Sequence, residues 1–332
     1  MVDHYDISVV LSTYNRCAIL PFALESILCQ LPAIAPCELI VVDNNSTDST
    51  REVVESFVAR GDHAVRYVFE QRQGVSYTRN SGIANARAPI IAFFDDDVCV
   101  SPTWLATIKR AFEAHPEADC VGGCVLPRWE ADPPPWLTRE HWAPLALQDY
   151  GDQPICVNGE NPLCLLSANF AFRREVFDRI GLFAPELQRV KDGIGSMEDL
   201  ELLTRFWRAG GTALYLPSLV VTASVPPERM TKSYHRRWHS GHGRFYAMLR
   251  SEEIERSRAG RLFDVPAHLY KQAAKDALRW LQHKLAGVGD NAFIYETRLR
   301  FFAGFFRQRR ADFLARMTEA PRYIQGQRSS RS

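Results

Sequence analysis

The sequence predicts an α/β fold: a mostly parallel sheet flanked by helices, carrying a helical appendage at its C-terminal end. Three observations lead there. Short apolar runs alternate with amphipathic stretches through the first hundred residues, as parallel sheets with covering helices require. Polar clusters follow those apolar runs, where such sheets place ligands. The last hundred residues change character, to long stretches with helical spacing and many arginines.

In order, ISVVLS (7–12) reads as a strand and Ile19 to Leu31 as a helix. ELIVVD (38–43) is the second strand, followed by a helix from about Ser49 with Asp48 or Ser49 as its N-cap. AVRYVFE (64–70) is the third strand, 75–86 a helix and PIIAFF (89–94) a buried strand. Beyond residue 100 the alternation loosens. CVGGCVLP (120–127) and LCLLSANFAF (163–172) read as strands, and RWEADPPPWL as a loop fixed by three prolines. EDLELLTRFWRA (198–209) is an amphipathic helix that ends at Gly210 and Gly211. In the tail, apolar positions 270, 273, 274, 277, 278, 281 and 285 keep helical spacing. The stretch FIYETRLRFFAGFFRQRRADFL continues in the same manner. The expected organisation is a first half over 1–100, a second half over 101–228 and a basic helical region over 229–332.

Composition bounds the function. With 332 residues, 46% apolar and 24% charged, the chain is an ordinary globular protein with a substantial core. No basic segment followed by an apolar one opens the chain, so no secretory signal is expected. The uncharged run 214–227 is shorter than a spanning helix and carries prolines. Eight cysteines without C-x-x-C pairs read as reduced thiols of a cytoplasmic protein. The net charge of +1 hides an asymmetry: 1–228 hold 18 Lys+Arg against 30 Asp+Glu, and 229–332 hold 22 against 9. A basic tail on an acidic body suits a phosphate-bearing substrate or an anionic membrane surface, or docking of the two halves on each other. No nucleic-acid partner is expected.

Four constellations carry candidate chemistry. Asp95, Asp96 and Asp97 follow IIAFF at the lip of a buried strand, where crowded carboxylates suit a hard cation, Mg2+ or Mn2+. The alternative is a solvated acidic turn. Asp43, ending the second strand in VVDNNSTD, is placed to accept from a nucleobase or ribose, or to close an Asx turn. Arg79 and Asn80 in RQGVSYTRNSGI lie on the first turns of a helix, where an arginine meets a diphosphate or pairs with an aspartate. Glu198 and Asp199 occupy the first turn of another helix, whose dipole stabilises anions. They read as a capping pair or as a general base.

Taken together, STYNR, VVDNNSTD, RQGVSYTRNSGI, FFDDD, SANFAFRREVF and MEDLELLTRFWRAGG closely resemble the family-2 glycosyltransferases of the GT-A fold, inverting and of the bacterial type, over about residues 6–225. The resemblance implies a GT-A Rossmann-like sheet and a metal-dependent transfer of a sugar from a nucleoside diphosphate, with UDP the leading nucleotide, to a sugar or lipid-linked acceptor in cell-surface polysaccharide or glycolipid assembly. By position, Thr13, Tyr14 and Arg16 line the nucleotide site and Asp43 reads the base. Arg79 lies under the donor with Asp96 beside it, Asp95 contacts ribose or sugar and joins Asp97 at the metal, and Asp199 is the base with Glu198 next to it. Gly122, Gly123 and Asn169 line the sugar and acceptor side.

One departure stands out. Many members carry a histidine just before a VPPER-like stretch; here Ala223 and Ser224 hold that place. His235, His239 and His242 follow near one helix face and are candidate substitutes. Two other classes compete: a catalytically silent nucleotide-sugar-binding scaffold, and a sugar nucleotidylyltransferase, whose glycine-rich N-terminal loop is absent from VVLSTYNRCAIL. For the tail, Phe301–Phe306 with Arg307–Arg310 suggest peripheral contact with the inner face of the cell membrane. The competing expectation packs those phenylalanines on the catalytic domain or in a homodimer.

Overall fold

Continuous apolar runs become strands buried on both faces, as a parallel sheet covered by helices demands. The computed structural model describes residues 4–31, 36–61, 65–188, 194, 196–258, 260–287 and 289–319. Its first half runs β1 (Ile7–Thr13), α1 (Leu20–Leu28), β2 (Cys37–Asp43), α2 (Thr50–Ala59), β3 (Val65–Phe69), α3 (Val75–Asn85) and β4 (Ile90–Asp95). These four strands lie parallel in the order β3-β2-β1-β4. All seven residues of β2 are buried.

The sheet then changes direction. After β5 (Val98–Val100) and α4 (Trp104–Ala114) come β6 (Cys120–Trp129), β7 (Ile155–Val157), β8 (Phe170–Arg173), α5 (Glu175–Ile180), α6 (Glu198–Arg208) and β9 (Ala213–Val225). β8 is antiparallel to β4 and to β6, β6 is parallel to β9, and β5 and β7 are antiparallel to β9. Strands β1 to β9 thus form one mixed sheet, β3-β2-β1-β4-β8-β6-β9-β5, with β7 paired to β9.

One expected strand needs correction here. The strand expected over 163–172 begins only at Phe170, after a 3-10 turn at Ser167–Asn169. That turn frees the backbone of Ser167 for a side-chain partner described below. The uncharged run 214–227 lies mostly in β9, where Pro217 sits at an irregularity: Gly123 pairs with Leu216 but Cys124 with Val220. A proline is tolerated at such a bulge because no ladder bond is asked of it there. A Cβ on Gly123 would meet the Leu219 carbonyl oxygen at 1.9 Å, so the close approach of β6 to the bulge requires glycine. A Cβ on Gly122 would press on Leu165. Both glycines are buried packing positions, not the lining of an acceptor surface.

The core joins the two halves of the sheet through aromatic edges. Phe93 meets Phe170, Phe177 and Phe183 at ring-centroid distances of 5.5, 6.2 and 5.9 Å. Edge-to-face pairs of this kind add about 0.5–1.5 kcal/mol each beyond area burial. All eight cysteines are free thiols.

The chain divides into two units: the sheet unit, ending at Met230, and a unit of Thr231 onward that also takes in Ile194–Met197. The second unit contains α7 (Lys232–Leu249), α8 (Glu252–Glu255), the hairpin β10 (Arg261–Leu262) and β11 (Val265–Pro266), α9 (Ala267–Leu285) and α10 (Gly289–Glu319). α7 and α10 pack at a glycine contact: a Cβ on Gly243 would meet the Phe301 carbonyl and one on Gly304 the Ser240 carbonyl. Phe305, one of the phenylalanines expected to reach a membrane, is buried in the core of this unit, Phe302 is buried too, and Arg309 is fully buried. Phe305 packs within the helical unit itself, an arrangement that neither expectation named.

Candidate active site

The register of the parallel strands gathers the polar ends. Thr13 pairs with Asp43 across β1 and β2, and Ser12 with Asp95 across β1 and β4. Asp43 is buried, with Oδ1 accepting from the Ser46 amide at 3.0 Å and Oδ2 from the Tyr67 hydroxyl at 2.8 Å. The Asx turn is therefore present, and the Tyr67 hydroxyl holds the carboxylate in one orientation. Tyr67 was not singled out by sequence; it sits one strand away in the middle of an ordinary alternating run. Next to Asp43, Asn44 accepts from the Gly74 amide at 2.7 Å and donates to the Arg72 carbonyl at 2.6 Å. Those bonds fix the approach to α3, where Gly74 takes a φ of 138° open chiefly to glycine.

α3 carries the residue around which the site is organised. Arg79 is almost wholly buried, and its guanidinium holds three carboxylates from distant parts of the chain. Nη1 donates to Glu198 Oε1 at 3.1 Å and to Asp199 Oδ1 at 3.3 Å, and Nη2 donates to Asp95 Oδ1 at 3.3 Å. Burial alone disfavours the charged form; the three surrounding carboxylates reverse this and hold the guanidinium pKa above its ordinary value. Pairing with aspartate is thus what the structure shows, and the same contact ties the end of β4 to the start of α6. Beside it, Asn80 exchanges two bonds with the backbone of Phe183, and Gln188 accepts from the Ser76 amide at 2.7 Å. Phe183 and Gln188, beyond α5, are thereby pinned to the N-terminal turns of α3.

Asp199 has a second set of partners. Its Oδ2 accepts from the Ser167 amide at 3.1 Å and the Ser167 hydroxyl at 2.9 Å. Burial pushes the Asp199 carboxyl up to about 6, a rise that Arg79 and Ser167 restrain and Glu198 reinforces. Asp199 is then mostly ionised at neutral pH, yet more basic than a free aspartate. Glu198 is buried, and its Oε2 has no hydrogen-bond partner.

At the β4–β5 turn Asp96 is half-buried, and its carboxyl is pushed up to about 7 by desolvation and then by Asp97, while Arg16 pulls it down. Tyr14 is half-buried and Arg16 exposed at the end of β1. Asp97 lies 3.8 Å from the Arg229 guanidinium of the VPPER stretch. Its carbonyl accepts from the Ser224 amide at 2.9 Å, while the Ser224 hydroxyl bonds Glu130. The position noted for its missing histidine does therefore adjoin Asp97, and a serine bonded elsewhere fills it. The candidate substitutes sit within the helical unit: His242 stacks on Trp238 at 4.5 Å and touches Phe301, and burial pushes it down to about 4. His235 is fully buried against Tyr234 and Phe293. His235 is thus buried and His242 half-buried among aromatic rings of the helical unit.

Asn169 also needs correction. It is fully buried, with its amide donating to the Cys124 and Leu219 carbonyls at 2.8 Å each and accepting from Trp104 Nε1 at 2.7 Å. It braces β6, β9 and α4, and has no surface to offer an acceptor. Ser167, two residues earlier, is the member of that motif that reaches the carboxylates.

The fold and this arrangement define a class. The chain shares the GT-A glycosyltransferase fold, with a TM-score of 0.55 at 20% identity to a mannosyltransferase from Pyrobaculum calidifontis in complex with GDP-Man and Mn2+, over 96% of this chain and 76% of that one. The sequence profile of glycosyl transferase family 2 matches residues 8–181, and the chain belongs to that family. It is 28% identical over 177 residues to a glucosyl-dolichyl phosphate glucuronosyltransferase of Haloferax volcanii, covering 53% of this chain and 55% of the relative. It is 35% identical over 153 residues to a validoxylamine A glucosyltransferase of Streptomyces hygroscopicus subsp. jinggangensis, covering 45% of this chain and 36% of the relative. The chain thus spans about half or less of these two relatives' lengths.

Proposed function

We propose that the chain is an inverting, metal-dependent glycosyltransferase that moves a sugar from a nucleoside diphosphate to an acceptor hydroxyl, with Asp199 as general base. The observation that carries this reading is the Arg79 node, which holds Asp199 of α6 and Asp95 of β4 on one guanidinium. The expected base and one carboxylate of the expected metal site are thereby fixed in one group.

The residues present fit a divalent cation. Three successive carboxylates, Asp95, Asp96 and Asp97, crowd the β4–β5 turn, and burial followed by the charge of Asp97 pushes Asp96 up to about 7, a burden that a cation would relieve. Among the described residues no group of three His, Cys, Asp or Glu forms a metal cage. Asp95 and Asp97 would therefore hold Mg2+ or Mn2+ in the manner of sites that draw their other ligands from substrate phosphates and water. The cation would supply Lewis-acid neutralisation of the departing diphosphate.

The chain's own residues do the rest. Thr13, Tyr14, Arg16 and Asp43 receive the nucleotide at the ends of β1 and β2. Asp199 accepts the proton of the incoming hydroxyl as its oxygen bonds the anomeric carbon, and the bond to the diphosphate oxygen breaks on the opposite face, inverting the configuration. Ser167 and Arg79 orient Asp199 and keep it ionised. Glu198, with one buried oxygen unpartnered, is placed to accept from a hydroxyl of the acceptor. A lipid-linked acceptor is in keeping with the relative named for glucosyl-dolichyl phosphate. The test is a thermal-shift panel of nucleoside diphosphates with and without Mn2+. Stabilisation by one nucleotide that requires Mn2+ and disappears with EDTA supports the reading; no metal-dependent stabilisation by any of them refutes it.

A further inference from the structure

We infer that the outward face of α9 is a docking surface for an anionic phospholipid bilayer. Ala274, Leu278, Leu281 and Leu285 recur at spacings of four, three and four, which places them in one stripe along the helix. The three leucines are 58%, 46% and 79% exposed. The helix already has an inner side. His283 stacks on Tyr295 at 5.2 Å, and buried Asp276 lies 3.9 Å from Arg298. The leucine stripe is additional apolar surface that folding of this unit does not use.

Charge selects the occupant. Lys271, Lys275 and Arg279 are exposed on one flank of the stripe, and Lys284 is exposed on the other. The one acid of α9, Asp276, is buried on the inner side. An apolar stripe edged by cations and free of exposed anions suits a helix lying in the headgroup plane of an anionic bilayer. A second copy fits worse, since a symmetric contact would bring Lys271 and Lys275 against their own like charges. The hairpin before α9 adds to the surface. Phe263 and Asp264 have φ of 47° and 62°, making a tight two-residue turn that presents Leu262 and Phe263 outward. The Tyr270 hydroxyl ties that turn to α9 through the Leu262 carbonyl at 3.1 Å. Membrane contact thus belongs to α9, not to the α10 phenylalanines, and holds whether or not the catalytic reading does.

The experiment is flotation of the full chain with vesicles of phosphatidylcholine alone or with about a third phosphatidylglycerol. The chain should bind the anionic vesicles at least about tenfold more tightly, and salt should weaken that binding. Leu278→Gln/Leu281→Gln/Leu285→Gln should abolish flotation with an unchanged unfolding temperature and near-UV spectrum. Lys271→Gln/Lys275→Gln should weaken it about thirtyfold, roughly fivefold for each lysine. Absence of flotation with either vesicle, flotation of the leucine variant at the wild-type level, or a dimer in light scattering that the leucine variant abolishes would each overturn the inference.

Discussion

Replacing Arg79 with glutamine tests the node that organises the site. The guanidinium is 5% exposed and compensates Asp95, Glu198 and Asp199, two of which are themselves largely buried. Removing one partner of such a group leaves buried charge uncompensated and costs about 3–5 kcal/mol. In a unit of this size each kcal/mol moves the unfolding temperature by about 2–4 °C, so a fall of about 6–20 °C is expected at pH 7. The sign of the pH dependence is specific. Asp199 is already held at about 6 with Arg79 pulling it down, so its folded-state value rises further in the variant. An acid whose folded value lies above its unfolded one penalises the fold fully above the folded value and not at all below the unfolded one. The deficit of the variant should therefore be largest above pH 7 and shrink towards pH 5. Calorimetric or fluorescence-detected unfolding across that range measures it. A deficit under about 1 kcal/mol, or one that does not change with pH, would refute the idea that Arg79 neutralises these carboxylates.

Two further substitutions separate orientation from bracing. Ser167→Ala removes the hydroxyl that holds Asp199 Oδ2 and keeps the amide, so the acidic limb of the transfer rate, expected near pH 6 in the wild type, should move up by about one pH unit. An unmoved limb in a pH–rate profile would show that the hydroxyl does not tune the base. Asn169→Ala strands Trp104 Nε1 and two buried carbonyls and should cost about 3 kcal/mol or more in urea unfolding, with the acceptor KM of the folded enzyme unchanged. A raised KM at full stability would restore Asn169 to the substrate.

The sheet's first half was legible because β1, β2 and β4 are apolar runs ended by polar residues, and burial on both faces leaves few other sequences for such strands. β9 was not, since Pro217 and the bulge opposite Gly123 break the pattern by which a strand is recognised. The 3-10 turn at Ser167–Asn169 was hidden for a related reason: SANFAF is as apolar as a strand, and only its pairing shows where the ladder begins. Within the site, Asp95, Arg79, Glu198 and Asp199 were found as residue types at strand and helix ends. Their union was not, because Arg79 and Glu198 lie 119 residues apart and no local pattern encodes a shared guanidinium. Asn169 and the Gly122–Gly123 pair were misassigned because a buried brace and a substrate contact call for the same residue types. Burial tells them apart, and that is a property of the fold. The phenylalanines of α10 and the leucines of α9 show the same limit: both have helical spacing with basic flanks, and only packing shows which face is covered.

The central claim is most directly tested by Asp199→Asn, which keeps the shape of the side chain and removes its basicity. Arg79 retains Asp95 and Glu198, and the net upward shift of Asp199 means that its ionised form burdens the fold, so stability should not fall at pH 7. Steady-state nucleotide release, with a glycan or water as acceptor, should lose about 10²–10⁴ in kcat, while nucleotide binding stays within about twofold. A variant that keeps wild-type turnover would contradict the assignment of the base, and so would one that loses nucleotide binding together with turnover.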